Sequence, residues 1–420
     1  MMKKNTYLDN LGKKALVASK SIVNLTEQTK NKTLKDYIIE IKKNKNKLLQ
    51  ANKKDIQQAR IKKIKENIID RSILNDDRIE SIIKSIKEVI KLKDPTKKII
   101  SSWKRPNGLT IQRVTMPIGI IGVIYEARPN VTADISILCF KSGNCAILRG
   151  GTEAFHSNTI LAELFRKVLK KNKINPDCIQ LINKTNRENV DYLLSNMKSY
   201  IDVIVPRGGK GLVKKVLELS KVPVIGHLEG LCHVYVDRYA DLEMAKKIVF
   251  NAKLRRTSIC GAAETLLINN KIINTHLKPI LNMLDENNCE IIGDKTVKKY
   301  FPKAKLAKEK DWKTEYLDSI ISVKIVKNIE EAIDHIKKYG TNHTESIITN
   351  SKKSAEKFLN EITSSIVMHN TSTQFADGYE FGLGAEVGIS TNKLHPRGPV
   401  GLEQLTTYKY IVKGTGQIRP

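Results

Sequence analysis

The sequence has no apolar run of about 18 residues, the length needed to span a bilayer, so no membrane crossing is expected. Its six cysteines (139, 145, 178, 232, 260 and 289) show no CxxC spacing, and four lie inside or beside apolar, strand-like runs. That pattern argues against both a structural zinc and a disulfide framework and suits a reducing cytosol. The eight histidines show no HxxxH or comparable ligand spacing, so no metal is assigned. Acidic residues are scarce: 44 Asp and Glu face 73 Lys and Arg, for a formal charge of +29. The Lys excess comes with abundant Asn and Ile along the whole chain, as base-composition drift in an AT-rich genome would produce. A nucleic-acid binder gathers its charge into a patch or arm instead. A positive field of this size still attracts anionic substrates. The N-terminus, MMKKNTYLDNLGKKALVASK, starts basic, but polar residues interrupt it before a signal core could form. A cytoplasmic protein is expected.

With 40% hydrophobic and 28% charged residues over 420 positions, the chain has the composition of a globular protein of two or three domains. The first hundred residues read as helix. Apolar positions recur at three- and four-residue spacing, as in Leu34, Ile38, Ile41 and Ile79, Ile82, Ile86, Val89, until Asp94-Pro95 stops the run. From residue 118 short apolar strands alternate with amphipathic helices. Strands are expected over 118–125, 145–148, 178–182, 202–205 and 223–225, with helices such as 152–171 and 209–220 between them. This rhythm predicts a parallel sheet covered on both faces. A second series runs through 232–237, 264–268, 289–292, 319–326, 346–349 and 365–369. The fold class is therefore α/β, with two doubly wound parallel-sheet domains and a cleft between them. Residues 109–116 (LTIQRVTM) and 404–412 (QLTTYKYIV) alternate like strands but belong to neither series. They are expected to form an arm, pairing with each other or with another subunit.

Several segments could carry chemistry. RRTSICGAA (255–263) sets Cys260 on a turn behind two arginines and before Gly261, where positive charge and free backbone N–H groups favour thiolate. A buried, inert core cysteine is the competing reading. YEARPNVT (125–132) ends the first strand in a turn presenting Arg128 and Asn130, and an Asn there can donate to a developing oxyanion. Simple turn chemistry would also account for it. LRGGT (148–152), with Arg149, Gly150 and Gly151, follows a strand and opens a helix. VPRGGKG (205–211), with Arg207, Gly208, Gly209 and Lys210, does the same. Such turns let backbone N–H groups approach phosphate oxygens, though neither is a GxGxxG or Walker loop. The glycine-rich stretch 370–388 has no helical period and reads as a functional loop. HPRGPVGLE (395–403) offers Arg397 in a stiffened turn.

Together, MPIGIIGVIYEARPNVT, LRGGTEA, VPRGGKGL, GHLEGLCHVYVD, TSICGAAETLL and FADGYEFGLGAEVGISTNKLHPRGPVGLE resemble the aldehyde dehydrogenase superfamily, from Met116 to near the C-terminus. They are most similar to its acyl-phosphate-reducing branch. The resemblance implies an aldehyde-dehydrogenase-like fold: residues 1–105 and 118–231 as an NADP-binding α/β domain, 232–390 as a catalytic α/β domain, and 106–117 with 391–420 as an oligomerisation arm. It implies NADPH-dependent reduction of L-glutamyl 5-phosphate to glutamate 5-semialdehyde, a step towards proline. Cys260 would be the nucleophile, and Asn130 would share the oxyanion hole with a backbone N–H. Glu229 matches the general base of hydrolytic relatives, and Glu315 the residue that holds the nicotinamide ribose. Arg149 stands where a cofactor-binding Lys is found, and Thr152 where NAD-preferring relatives often carry an acid, which favours NADPH. Gly208, Gly209 and Lys210 match the turn along the pyrophosphate. Arg128 and Arg397 are candidates for the substrate's anionic groups. The cysteine turn reads Thr-Ser-Ile-Cys, as in acyl-phosphate reductases, rather than Gln-x-Cys, so Glu229 stays open between catalytic and structural roles. A homo-oligomer is expected, with a glutamate 5-kinase as a candidate partner. Two alternatives remain: an ordinary NAD(P)-dependent aldehyde oxidiser, and a basic nucleic-acid-binding protein on a degenerate α/β fold.

Overall fold

The computed structural model describes residues 5–64 and 66–419; the basic start of the chain, residues 1–4, lies outside them. The chain forms two compact units. One comprises Met1–Gly226, Gly382–Gly388 and Val400–Pro420; the other comprises His227–Phe381 and Ile389–Pro399. Among the described residues no helix is long and apolar enough to cross a membrane.

The first unit opens with helices α1 (Thr6–Ile22), α2 (Glu27–Lys43), α3 (Lys45–Ile61), α4 (Glu66–Ser72) and α5 (Asp76–Lys91). Helix α5 shows why they form where they do. The Asn75 side chain caps the Arg78 N–H, Asp76 and Asp77 sit at the positive end of the dipole, and Ile79, Ile82, Ile86 and Val89 bury one face. Strands β1 (Ile99–Lys104) and β2 (Thr110–Pro117) follow. The C-terminal strand Thr406–Lys413 pairs antiparallel with β2, from Thr406 opposite Pro117 to Lys413 opposite Thr110. The two orphan strands of the sequence therefore pair with each other. Strand β1, which lies beyond the Asp94-Pro95 stop and outside the strands expected from the sequence, completes this three-stranded sheet.

The core sheet of this unit contains β3 (Ile120–Tyr125), β4 (Cys145–Gly150), β5 (Ile179–Leu181) and β6 (Val203–Arg207), all parallel in the order β5-β4-β3-β6. The strand expected over 223–225 is reduced to a single bridge between Val224 and Ile204. Pro223 has no N–H to donate, which prevents a longer ladder there. Helix α6 (Pro129–Lys141) starts directly after β3, with Pro129 in its first turn. Helices α7 (Phe155–Lys171), α8 (Arg187–Asn196) and α9 (Lys210–Leu219) fill the other crossovers.

The second unit is built on seven parallel strands: β7 (Cys232–Val236), β8 (Ala263–Asn269), β9 (Glu290–Gly293), β10 (Lys305–Leu306), β11 (Ile320–Val326), β12 (Thr344–Ile348) and β13 (Ile366–His369). Their order is β10-β9-β11-β8-β7-β12-β13. Helix α10 (Leu242–Leu254), capped by the Asp241 side chain, joins β7 to β8.

Candidate active site

In the first unit the two arginine-glycine turns flank the C-terminal end of β3. Tyr125 lies opposite Gly150 on one side and opposite Arg207 on the other. The chain passes from β3 out to β4 and β5 and returns on the opposite side of β3 as β6, so a topological switch point lies between β3 and β6. Doubly wound sheets bind ligands at such a point. Arg128, Asn130, Arg149, Gly150, Gly151, Arg207, Gly208, Gly209 and Lys210 all occupy this edge or the helix starts that follow it.

The Gly209 N–H, just ahead of α9, donates to the Glu126 carboxylate at 2.7 Å. A Cβ on Gly208 would lie 2.7 Å from the same carboxyl group. This turn therefore already holds an anion, and glycine is what lets the anion come close. Arg149 donates to the carbonyls of Gly150 and Thr185, both at 2.8 Å, which fixes its guanidinium beside the turn. The Thr152 hydroxyl is 3.1 Å from the Glu153 carboxylate, whose charge also acts on Arg149. Asn130 is exposed, and its amide donates to Asp134 one helical turn on, at 3.0 Å. Asp134 also accepts from Ser85 at 2.9 Å, and burial raises its carboxyl above the ordinary range. The amide of Asn130 is thus oriented by a residue four positions away on the same helix face.

In the second unit Cys260 sits on the turn between α10 and β8, half-buried, with Ile366, Met368, Ala376 and Ile389 as apolar neighbours. The loop before β7 reaches the same place. A Cβ on Gly230 would lie 2.3 Å from the Cys260 carbonyl oxygen and 2.7 Å from its Cβ, so only glycine permits the approach. Glu315 accepts from the Gly230 N–H at 2.8 Å, holding that loop and Glu229 with it. Behind Glu315 is a buried ion pair, Lys253 with Glu264 at 2.6 Å; Glu264 also accepts from the Leu317 N–H at 3.1 Å. Burial raises the Glu264 carboxyl to about 7 despite the ammonium beside it. On the far side, Gln374 donates to the carbonyls of Ala252 and Arg256 and backs the cysteine turn. Arg397 donates to the Thr363 carbonyl, and its Nε is buried without a hydrogen-bond partner among the described residues.

The reason these residues meet is strand order. Gly230, Cys260 and His343 stand two, three and one residue ahead of β7, β8 and β12, which are parallel neighbours. The second unit therefore assembles its cysteine at the N-terminal edge of its sheet, whereas the first presents its turns at the C-terminal edge. Sequence reasoning missed Glu126, Asp134, Glu153, Lys253, Glu264, His227 and His343. The (i, i+4) relation of Asn130 to Asp134 was the one usable signal. The others depend on which strands are neighbours or which turns touch.

The profile of the aldehyde dehydrogenase family matches residues 5–293. The chain belongs to the aldehyde dehydrogenase family. Among its relatives, the chain is 50% identical to a gamma-glutamyl phosphate reductase of Allorhizobium ampelinum, over 98% of this chain and 96% of that protein. It is 49% identical to one from Parvibaculum lavamentivorans, over 98% and 97% of the two chains. Its structure is similar to that of gamma-glutamyl phosphate reductase from Thermotoga maritima, with a TM-score of 0.96 and 43% identity over 98% of this chain and all of that one. An acetylating aldehyde dehydrogenase from Geobacillus thermoglucosidasius, at 16% identity and a TM-score of 0.68, shares the fold, covering 98% of this chain and 97% of its own. As an aldehyde dehydrogenase family member the chain is an oxidoreductase using a nicotinamide cofactor.

Proposed function

We propose that this protein is an NADPH-dependent reductase that converts L-glutamyl 5-phosphate to L-glutamate 5-semialdehyde and phosphate through a thioester on Cys260. The observation that carries this reading is the 50% identity, over nearly the whole of both chains, to a gamma-glutamyl phosphate reductase. The same reading makes it a cytoplasmic homo-oligomer of proline biosynthesis, taking its substrate from a glutamate 5-kinase. The domain roles expected from the sequence carry over: a cofactor domain, a catalytic domain and an oligomerisation arm.

The Cys260 thiolate attacks the C5 acyl carbon; a C–S bond forms and the C–O bond to phosphate breaks. Phosphate leaves with the electron pair and needs little protonation. Asn130 and a backbone N–H stabilise the negative oxygen of the tetrahedral adduct. A bound nicotinamide cofactor would supply the hydride that reduces the thioester carbon. The resulting thiohemiacetal oxyanion collapses, the C–S bond breaks, the aldehyde departs and Cys260 is again a thiolate. Arg128 and Arg397 are the proposed partners of the substrate's anionic groups.

Neither direction needs Glu229 to activate water: hydride clears the thioester forwards, and phosphate, already an anion, clears it in reverse. Glu315 serves the ribose and positions the Gly230 loop. The residues that would hold the cofactor's phosphates are Arg149 with Gly150 and Gly151, and Arg207 with Gly208, Gly209 and Lys210. Their fit rests on the Gly209 N–H, whose present partner is already a carboxylate. The test is NADP⁺ reduction with glutamate semialdehyde, with and without inorganic phosphate. Strict phosphate dependence is expected. Equal rates without phosphate would point to an ordinary aldehyde oxidiser.

A further inference from the structure

Three residues far apart in sequence, His227, Cys260 and His343, bring one potential ligand atom each to within 4.8 Å of one another. The two imidazole rings meet edge to face, with centroids 4.8 Å apart. His227 Nδ1 is 2.7 Å from the carbonyl oxygen of Ile389. A carbonyl can only accept, so Nδ1 carries the proton and Nε2 is the basic nitrogen of that ring. Metal-bound histidines use this arrangement: one nitrogen donates to a backbone carbonyl, and the other presents its lone pair.

His343 is fully buried. Its Nδ1 is 3.0 Å from the Thr344 hydroxyl, while its Nε2 is buried and has no hydrogen-bond partner among the described residues. A ring nitrogen in that position has lost its water and gained nothing, which requires a reason. The Cys232 thiol donates to the Cys260 carbonyl at 3.1 Å and so steadies the backbone that carries the one sulfur among the three groups.

We propose that Cys260, His227 and His343 form a binding site for a borderline-soft divalent cation of the zinc type. One thiolate and two neutral imidazoles suit zinc or cobalt; magnesium and calcium prefer oxygen ligands. Around a tetrahedral ion with bonds of about 2.0–2.3 Å, ligand atoms lie roughly 3.3–3.8 Å apart. The three groups therefore need to close by about an ångström, within reach of side-chain rotation. The fourth position is left for water. Binding replaces the thiol proton: Cys260–SH and the cation give a metal thiolate and one released proton. On the reading of Cys260 as the nucleophile, the bound cation withholds its sulfur pair from the acyl carbon and inhibits the enzyme reversibly.

The test uses the full chain and Co²⁺ as a spectroscopic probe. One Co²⁺ per chain is expected, with thiolate-to-cobalt charge-transfer absorption and the visible bands of tetrahedral geometry, displaced by Zn²⁺. His343→Ala and His227→Ala should each weaken binding at least about tenfold, as loss of metal-site partners does. Measured against its own metal-free rate, His343→Ala should resist zinc inhibition, which a chelator should reverse in the wild type. Should His343→Ala fail to fold, His227→Ala carries the test at a half-exposed position. Absence of the thiolate band, or unchanged affinity in the folded histidine variants, overturns the site. The nucleophile reading fails separately, if Cys260→Ser turns over normally without metal.

Discussion

Cys260 differs from the other five cysteines in one physical respect, its surroundings. Cys139, Cys145, Cys178, Cys232 and Cys289 are all buried, and burial pushes each thiol up, Cys145 to about 12 and Cys289 to about 11. A thiol held protonated at neutral pH neither attacks an acyl carbon nor reacts with an alkylating agent. Brief iodoacetamide treatment should therefore label Cys260 almost alone and abolish turnover, as peptide mass mapping against residual activity will show. Substantial activity in Cys260→Ala would defeat the covalent mechanism. Gly230 offers a second residue-scale test. A methyl group there meets the Cys260 backbone at 2.3 Å, so Gly230→Ala must push the nucleophile or the loop away. Displacement of an ångström near the chemistry costs about 100-fold in rate. Steady-state kinetics should show that loss in kcat/KM while the melting curve still shows a folded protein.

At the scale of elements, helix Ile329–Tyr339 inserts His335 against Trp312 and Tyr339. Both ring nitrogens are buried without a partner among the described residues, and burial, with His233 beside it, pulls the imidazole down to about 2. The unfolded chain takes up a proton near pH 6.5 that the folded protein refuses, so stability is lost as pH falls through that value. One such group amounts to about 2 kcal/mol at pH 5. Glu264, raised from 4.5 to about 7 by burial, acts in the opposite sense: the folded protein holds its proton, and stability declines as pH rises between those values. Subtracting a variant isolates each effect. His335→Phe keeps an aromatic ring and removes the group that titrates. Thermal melts from pH 5 to 7 should show a shallower loss on the acid side, with stability at pH 7 changed by no more than about 1.5 kcal/mol. An unaltered slope would mean that His335 is protonated in the folded state.

The arm is the other element-scale case. Its two outer strands carry Ile99, Trp103, Tyr408, Tyr410 and Val412 exposed, an apolar surface of the kind that subunits cover. Deleting residues 404–420 should lower the mass measured by light scattering. A monomer both before and after deletion would remove the proposed oligomerisation role.

For the whole molecule the open choice is between cofactors. Arg149 is fixed beside the β4 turn by two carbonyls, but Glu153 contributes an acid that the sequence reading did not weigh. We expect the arginine to dominate for a 2′-phosphate, because a bidentate guanidinium pair is a strong contact. NADPH should give the higher kcat/KM, and Arg149→Ala should lower it for NADPH about tenfold or more while NADH changes little. Equal use of both cofactors by the wild-type protein would reverse the assignment.

Local pattern was enough for the strand series, because alternation and apolar runs record which backbone is buried whatever packs on it. Ten of the eleven expected core strands lie within a few residues of their places, and the eleventh shrinks to one bridge at a proline. Cys260, Asn130 and the arginine-glycine turns were legible because turns and helix starts are short-range features. The order β5-β4-β3-β6 and the seven-strand order of the second unit were not, since strand neighbours are chosen by long-range packing. From that order comes the meeting of Gly230, Cys260 and His343 at one sheet edge, while the Lys253–Glu264 pair comes from the packing of α10 on β8. The individual side chains are in the sequence; their meeting is a product of the tertiary structure, because parallel strands pair across crossovers that no local period reports.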